Sequence, residues 1–452
     1  MKNLGNISPD KIIKELHEEY FSEYSDDIKK VLECIYYPKP FDEQIEESRK
    51  SLGIFWERYY SPEISEILNS FPKIQRALFG LEEDFSSGSR YRDHYVHMFN
   101  VFITGARIIS KIIDLCDNEN DIEEVFKIQS EPEDIPFPKP YKKIERLFFL
   151  WVLISTFHDI GIPIEHLDKI KNGINKFIKF FGLKIDTLIP IKDHTIIEQA
   201  GYFIDNMSSF DNVSIVPING LYKKTPNINN YLKQCLLREF SNNNHGVISA
   251  VCLFNSFIET FLVGKHSKPT YDLTKEQYDV FTEKILEQDV SRAALAIAYH
   301  NIKYDIYPKI FPVKSQSLPL TFILILCDEI QEAFRHEGIN FIGLSKLNTF
   351  PVIDVKKTKG KFSITITIKY KELDKNEEND VLKQYYNYSK DIHDSRTVNS
   401  FEDLIGLTWD NIFSVLTNKL DFVEGFFDVR IQVYHAKKNN TKLICNKTFT
   451  DK

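Results

Sequence analysis

His97, the His158-Asp159 pair, His245, His300 and Asp328 are imidazoles and carboxylates set on, or at the ends of, otherwise apolar helix-like stretches. Burying such groups is costly unless something compensates them, and a divalent metal ion is the natural compensator for a mixed imidazole and carboxylate set. His158 closes LFFLWVLISTF, with Leu147, Trp151 and Ile154 beneath it, and Asp159 follows at once, before Gly161 and Pro163 end the helix. Adjacent His and Asp at a helix terminus can present both side chains to one ion. His94, His97, Val101, Gly105 and Ile108 lie three or four residues apart and so share one helix face. Gly105 lets a neighbouring helix approach closely on that face. His245 opens GVISAVCLF, His300 ends ALAIAYH, and Asp328 follows FILILC.

These groups must be positioned by helices. Helical periodicity dominates to about residue 340, with two amphipathic helices predicted over 9–37, ending at Pro38-Lys39-Pro40, and others over 62–79, 91–116, 142–159, 193–206, 227–239, 245–263, 274–302 and 318–335. The acidic, Pro-rich stretch 118–141 reads as a solvated surface insertion between two core helices, and 207–226 as a loop. Beyond residue 345 the period changes. Phe362, Ile364, Ile366, Ile368 and Tyr370 alternate with polar residues as a half-buried strand does, Val429, Ile431 and Val433 repeat the pattern, and 442–445 offers a shorter strand. A helix is predicted between them at 401–418. The expected fold class is mainly α, with an N-terminal helical segment at 1–84, a core at 85–344 and a small C-terminal α+β domain at 345–452.

Composition narrows the function. At 452 residues, 42% hydrophobic and 27% charged, with 35 Phe and 22 Tyr, the chain has ample material for more than one core. A net charge of −8 disfavours a general nucleic-acid coat protein, so long nucleic acid is the less expected partner. The six cysteines are scattered, with no C-x-x-C pair, and read as reduced, buried thiols. The longest apolar run, LPLTFILILC, is about half a membrane span, and no apolar signal core opens the sequence. A cytoplasmic protein without membrane association is expected.

The ordered set H…HD…H…H…D resembles the HD superfamily of metal-dependent phosphohydrolases. The matching pieces are HMFNV (97–101), FHDIG (157–161), HGVISA (245–250), AIAYHNI (296–302) and LCDEIQEAFR (326–335), and the resemblance covers roughly residues 85–340. It implies an all-helical bundle in which His97, His158, Asp159 and Asp328 hold one metal, while Asp159 bridges to a second held by His245 and His300. It implies two ions about 4 Å apart, drawn from Mn²⁺, Fe²⁺, Co²⁺, Ni²⁺ and Mg²⁺, that activate a water against phosphorus. It also implies a catalytic role for Asp159 and an acid or base role for His94, although cyclic-nucleotide phosphodiesterases place their extra histidine four residues ahead of the first ligand and this chain three. Arg92, Lys303 and Arg335, close to ligands in sequence, are candidates for steadying substrate phosphates.

No subfamily pattern is complete. Deoxynucleoside triphosphohydrolases resemble HD-x-G-H-P-P-F-G-H, whereas this chain reads HDIGIPIEH, with Ile162 in place of the first extra histidine and His166 one residue early. HD-GYP phosphodiesterases carry Lys at that first position, and they and the CRISPR-associated HD nucleases show a later His-His pair where this chain has His300-Asn301. The expected activity is two-metal hydrolysis of a phosphoester in a nucleotide, with a phosphodiester or signalling nucleotide favoured. The alternatives are a deoxynucleoside triphosphate triphosphohydrolase, a nuclease on single strands, and a nucleotide-sensing module without activity. A homo-oligomer and a protein partner for the C-terminal domain are left open. Among the remaining groups, His166 and His194 read as structural or substrate-adjacent. His17, His266, His336, His393 and His435 read as solvated surface. Arg90, Arg92 and Asp93 suit surface salt bridges, and Glu329, Glu332 and Arg335 an ordinary helix face.

Overall fold

A computed structural model describes residues 8–36, 40–59, 94–128, 143–162, 226–261, 289–332, 350–391, 398–422, 425–437 and 440–449. Mainly helical, it carries a small α+β assembly at its C-terminal end. The N-terminal elements are α1 (Pro9–Ile13), α2 (Glu18–Phe21), α3 (Ser25–Tyr36) and α4 (Phe41–Tyr59). The core follows with α5 (His94–Ile113), α6 (Glu119–Phe126), α7 (Lys143–Phe157), α8 (Pro226–Ser241), α9 (His245–Phe261), α10 (Ser291–His300) and α11 (Pro319–Glu332). The predicted helices at 62–79 and 193–206, the loop at 207–226 apart from Pro226, which begins α8, and the segment boundaries near 84 and 344 lie outside the described residues.

Helix α7 is buried all round, every residue from Arg146 to Phe157 lying inside, so it forms the central rod of the body. It packs against α5, α9, α10 and α11. The approach of α5 depends on Gly105: a Cβ there would stand 1.9 Å from Cζ2 of Trp151, whose indole Nε1–H donates to the Phe102 carbonyl at 2.9 Å. Gln331 of α11 donates to Thr104 Oγ1 of α5 at 3.2 Å. Among the described residues Tyr95–Ile113 is long and apolar enough to cross a membrane, but most of it is buried inside the fold, where it serves as a core helix.

The C-terminal part holds β2 (Val352–Thr358), β3 (Lys361–Tyr370), α12 (Lys375–Asp391), α13 (Phe401–Lys419), β5 (Phe427–Lys437) and β6 (Asn440–Phe449). The sheet order is β2-β3-β5-β6, antiparallel except for the central β3–β5 pair, whose strands are joined through the two helices. Ile364, Ile366, Ile368, Val429, Ile431 and Val433 are buried on one face of the sheet, as the alternation requires. Helix α13 packs against both β6 and α11, with Trp409 Nε1–H donating to the Tyr370 hydroxyl at 3.0 Å. A short parallel pair, β1 (Val313–Lys314) with β4 (Leu420–Asp421), gives a second tie between body and sheet.

Several expectations are corrected. The acidic stretch 118–141 is not all solvated insertion. Asn118 caps α6 by accepting from the backbone N–H groups of Asn120 and Asp121, and Ile122, Val125 and Phe126 are buried against the core. The segment 9–36 contains three helices and a 3₁₀ turn rather than two helices, and 442–445 belongs to a ten-residue strand. His435 is not solvated. Facing the same side as Ile431 and Val433, it is 8% exposed and lies 3.3 Å from Glu402 Oε1. His17 is half-buried, its ring 5.8 Å from that of Phe148.

Candidate metal centre

Five elements converge on one cluster. His97 sits on the first turn of α5, and His158-Asp159 follow the last residue of α7. His245 is the first residue of α9 and His300 the last of α10, while Asp328 lies on α11. The six positions span about half the chain, yet all six side chains meet. One group of mutually adjacent ligand atoms comes from His97, His158 and Asp159, a second from Asp159, His245 and His300, and Asp159 belongs to both.

The distances define the centre. Asp159 Oδ2 lies 3.7 Å from His97 Nε2, and Asp159 Oδ1 lies 3.6, 3.7 and 3.7 Å from Nε2 of His158, His245 and His300. Asp328 Oδ1 is 2.9 Å from His97 Nε2 and 3.8 Å from His158 Nε2, which itself lies 3.2 Å from His97 Nε2. Ligands at about 2.1 Å from a tetrahedral ion stand roughly 3.4 Å apart, so these separations bracket the value expected around divalent cations.

The hydrogen-bond roles support that fit. His158 Nδ1–H donates to the Ser155 carbonyl at 2.8 Å, and His300 Nδ1–H to the Ile297 carbonyl. Each leaves Nε2 directed into the cluster, and among the described residues buried His300 Nε2 has no hydrogen-bond partner. Holding the far nitrogen as a donor is how proteins fix a metal-binding imidazole. Burial pushes the His158 pKa down, against the opposing pull of the Asp159 and Asp328 carboxylates. Burial also works to lower the His300 pKa, but the carboxylates of Asp159 and Asp328 outweigh it and raise it. Burial works against ionising Asp328 too, yet the hydrogen bond from His97, with His158 and His300 nearby, holds its pKa well below the usual carboxylate range. His158 is sealed from solvent, whereas the His245 and Asp328 side chains are 17% and 14% exposed, so the cluster opens on their side.

The proposed non-ligand positions are less defined. His94 is the first residue of α5, one turn before His97, and its side chain lies outside the described residues, as do Arg92 and Arg335. Lys303 is exposed, three residues beyond His300. His166 and His194, Arg90 and Asp93 also fall outside the described residues.

Sequence reasoning missed the groups that brace the second half of the cluster. Asn244 Oδ1 accepts from the Gly246 and Val247 backbone N–H groups at 3.0 and 3.3 Å, capping α9. Its Nδ2 donates to buried Glu239 Oε2 at 2.8 Å and to the Asn301 carbonyl at 3.2 Å, while the Tyr307 hydroxyl donates to Glu239 Oε1 at 2.7 Å. An N-cap signal, Asn before an apolar run, was legible at Asn244. Lys419 of α13 was also missed: its Nζ donates to the His300 carbonyl at 2.9 Å and to Glu329 Oε1 at 2.7 Å. No family model, no curated protein and no solved structure matches the chain.

Proposed function

We propose that this protein is a metal-dependent phosphohydrolase of the HD type, acting on a phosphoester bond in a nucleotide, with a phosphodiester or small signalling nucleotide as the favoured substrate. The observation that carries the reading is Asp159. One carboxylate shared by two groups of ligand atoms is the arrangement a pair of ions requires, and its oxygens stand 3.6 to 3.7 Å from four imidazoles. Divalent ions bound there would supply Lewis acidity and bring the pKa of bound water towards neutrality.

The chain's own residues have separable tasks. His97, His158 and Asp328 with Asp159 would hold a first ion, and His245 and His300 with Asp159 would hold a second. The apolar rods α5 and α7 hold bulk water away from the buried side, and the half-open edge at His245 and Asp328 is the side from which a phosphate ester approaches. Of Arg92, Lys303 and Arg335, Lys303 lies among the described residues, exposed and three positions beyond His300, and is a candidate to steady a phosphate oxygen. Mn²⁺, Fe²⁺, Co²⁺, Ni²⁺ and Mg²⁺ all suit an imidazole and carboxylate set.

The test is a nucleotide screen with purified protein in Mn²⁺, Co²⁺, Ni²⁺ or Mg²⁺, with product identification and metal content measured in parallel. The expected result is about two ions per chain and a linear or monophosphate product. Replacing both His158 and Asp159 by alanine should abolish turnover while the helical circular dichroism signal persists; unchanged turnover would refute the assignment. Inorganic triphosphate released from a deoxynucleotide would make the protein a triphosphohydrolase, and short fragments from DNA a nuclease. Nucleotide binding without turnover in any metal would make it a sensor.

A further inference from the structure

The C-terminal sheet has a second face. Helices α11 and α13 pack on the inner one: the Phe322 ring lies 5.7 Å from that of Phe427, the Phe413 ring 5.8 Å from that of Phe449, and Trp409 donates to Tyr370. Alternate residues point the other way. On β5 these are Arg430, Gln432 and Tyr434. In register, Lys369 of β3 and Leu443 of β6 stand directly across from Tyr434, and Asn446 of β6 stands across from Gln432. Thr365, Thr367 and Thr448 complete three rows over β3, β5 and β6. Of these nine residues Thr367 alone is buried, and Leu443 is 44% exposed.

Charge sets the class of partner. The nine positions hold two cations and no carboxylate, in a chain whose net charge is −8. Elsewhere on this face each carboxylate stands beside a lysine, Asp354 at 3.6 Å from Lys356 and Asp428 at 3.8 Å from Lys361. Lys356, Lys361, Lys369 and Arg430 thus outnumber Asp354 and Asp428, whereas a face kept only for solubility intersperses both signs evenly. An anionic partner is complementary to this surplus. Tyr434 decides among anions. Its ring, with Leu443 beside it, suits a planar base, while Lys369 and Arg430 on either side suit phosphates. The amides of Gln432 and Asn446 and the threonine hydroxyls suit base edges and sugars. Arg430 Nε donates to Asn446 Oδ1 at 3.0 Å, which ties the guanidinium to β6. Bases are open to such stacking in single strands, not inside a duplex.

We infer that the outer face of the C-terminal sheet binds single-stranded nucleic acid, with a base stacked on Tyr434 and phosphates met by Lys369 and Arg430. The helix of Asp328 packs on the opposite face, so this surface is separate from the metal centre, and the inference stands or falls independently of the proposed hydrolase. The acidity of the chain as a whole is compatible with it, because the positive surplus is confined to this sheet face rather than spread over the molecule.

The experiment is fluorescence anisotropy of labelled RNA and DNA oligonucleotides of about 12 residues with the full chain, in excess EDTA so that no hydrolysis intervenes. Thermal unfolding of each variant checks the fold. The wild type should bind single strands and prefer them to a duplex of the same sequence. Tyr434→Ala should weaken binding by about 5- to 150-fold, the worth of one stacked base, while Tyr434→Phe, which keeps the ring, should retain most of the affinity. Arg430→Gln should weaken binding and lower the slope of log affinity on log salt by about 0.7, as loss of one phosphate contact on a single strand does. Absence of binding by the wild type, equal binding of duplex, or affinity unchanged in folded Tyr434→Ala and Arg430→Gln would overturn the inference. So would binding lost on replacing His158 and Asp159 by alanine but not on replacing Tyr434, which would put the strand at the metal centre. Poly-glutamate competing as well as the oligonucleotide would make the face a site for acidic polypeptide instead.

Discussion

At the scale of single residues, the metal-ligand types announced themselves because charge and imidazole are conspicuous in apolar helices. His97, His158, Asp159, His245, His300 and Asp328 could be picked out by type and context, and the fold brings all six together. Amides carry no such signature. Nothing in the sequence distinguishes Asn301 from a surface asparagine, and Glu239 becomes interpretable only once Tyr307 and Asn244 are seen at its two oxygens. His435 misled for the opposite reason: its sequence neighbours are mixed, but strand alternation turns it inward towards Phe401. Gly161, two residues beyond Asp159, is the sharpest test at this scale. Its N–H donates to Ser249 Oγ at 2.7 Å, and a Cβ there would stand 2.4 Å from the His245 carbonyl oxygen and 2.9 Å from the Ser249 nitrogen. Both are backbone atoms, so α9 must move. Gly161→Ala should destabilise the fold by about 1–3 kcal/mol, as overpacking does, and displace His245 from Asp159. Denaturant unfolding together with Mn²⁺ stoichiometry checks this; a variant of unchanged stability that still binds two ions would show that α9 has slack here.

At the scale of elements, periodicity located the helices that carry the site because each must bury one face or all of itself. The start of α9 falls at the predicted residue, and α5, α7, α10 and α11 end within three residues of prediction. The elements that escaped were polar or short of a clear stripe. Among the described side chains of helix α12, KNEENDVLKQYYNYSKD, those of Val381 and Tyr385 are buried. Helix α6 was hidden in an acidic stretch whose three apolar residues are enough to dock one turn. Strand β2 buries only Ile353 and Val355 well, leaving a pattern too brief to separate from a loop. The rods α5 and α7 must also lie close enough for His97 and His158 to meet, and the Gly105–Trp151 contact sets that spacing. Since the indole is anchored through Phe102, it cannot swing aside for a methyl group that would intrude to 1.9 Å. Gly105→Ala should therefore cost about 3 kcal/mol, towards the upper end for overpacking, and weaken the first ion site as α5 is pushed away. Trp151→Phe in the same background, which shrinks the ring, should recover part of both losses in a double-mutant cycle; purely additive effects would place the constraint elsewhere.

At the scale of the whole molecule, the C-terminal assembly is joined to the chemistry of the body rather than appended to it. Helix α13 lies between the sheet and α11, the helix of Asp328. From its last turn Lys419, 13% exposed, spans two site-bearing elements at once, donating to the carbonyl of His300 at the end of α10 and to Glu329 beside Asp328. A cation at a helix C-terminus is favourable in itself, because unsatisfied carbonyls gather partial negative charge there. Here the same ammonium also ties the last turn of α10 to the last turn of α11. A sequence reading has no route to this contact, since it joins residues 119 positions apart through a side chain that looks like ordinary surface lysine. Lys419→Met keeps the aliphatic stem and removes the charge, leaving Glu329 without its 2.7 Å cation and the His300 carbonyl without its donor. The loss should amount to about 1–3 kcal/mol, the range for hydrogen bonds to a charged group, and should fall on the end of α10 rather than on the sheet. Hydrogen exchange would then report faster opening at 297–302 with unchanged protection in β3 and β5. Because ion binding stabilises only the folded state, Mn²⁺ at 100 times its Kd should raise wild-type stability by about 2.7 kcal/mol, and chelation should remove that increment. In Lys419→Met the increment at the same Mn²⁺ concentration should shrink, since His300 is less firmly held. An undiminished increment, with uniform loss of protection across sheet and helices, would mean that Lys419 steadies the fold generally and has no particular bearing on the metal centre.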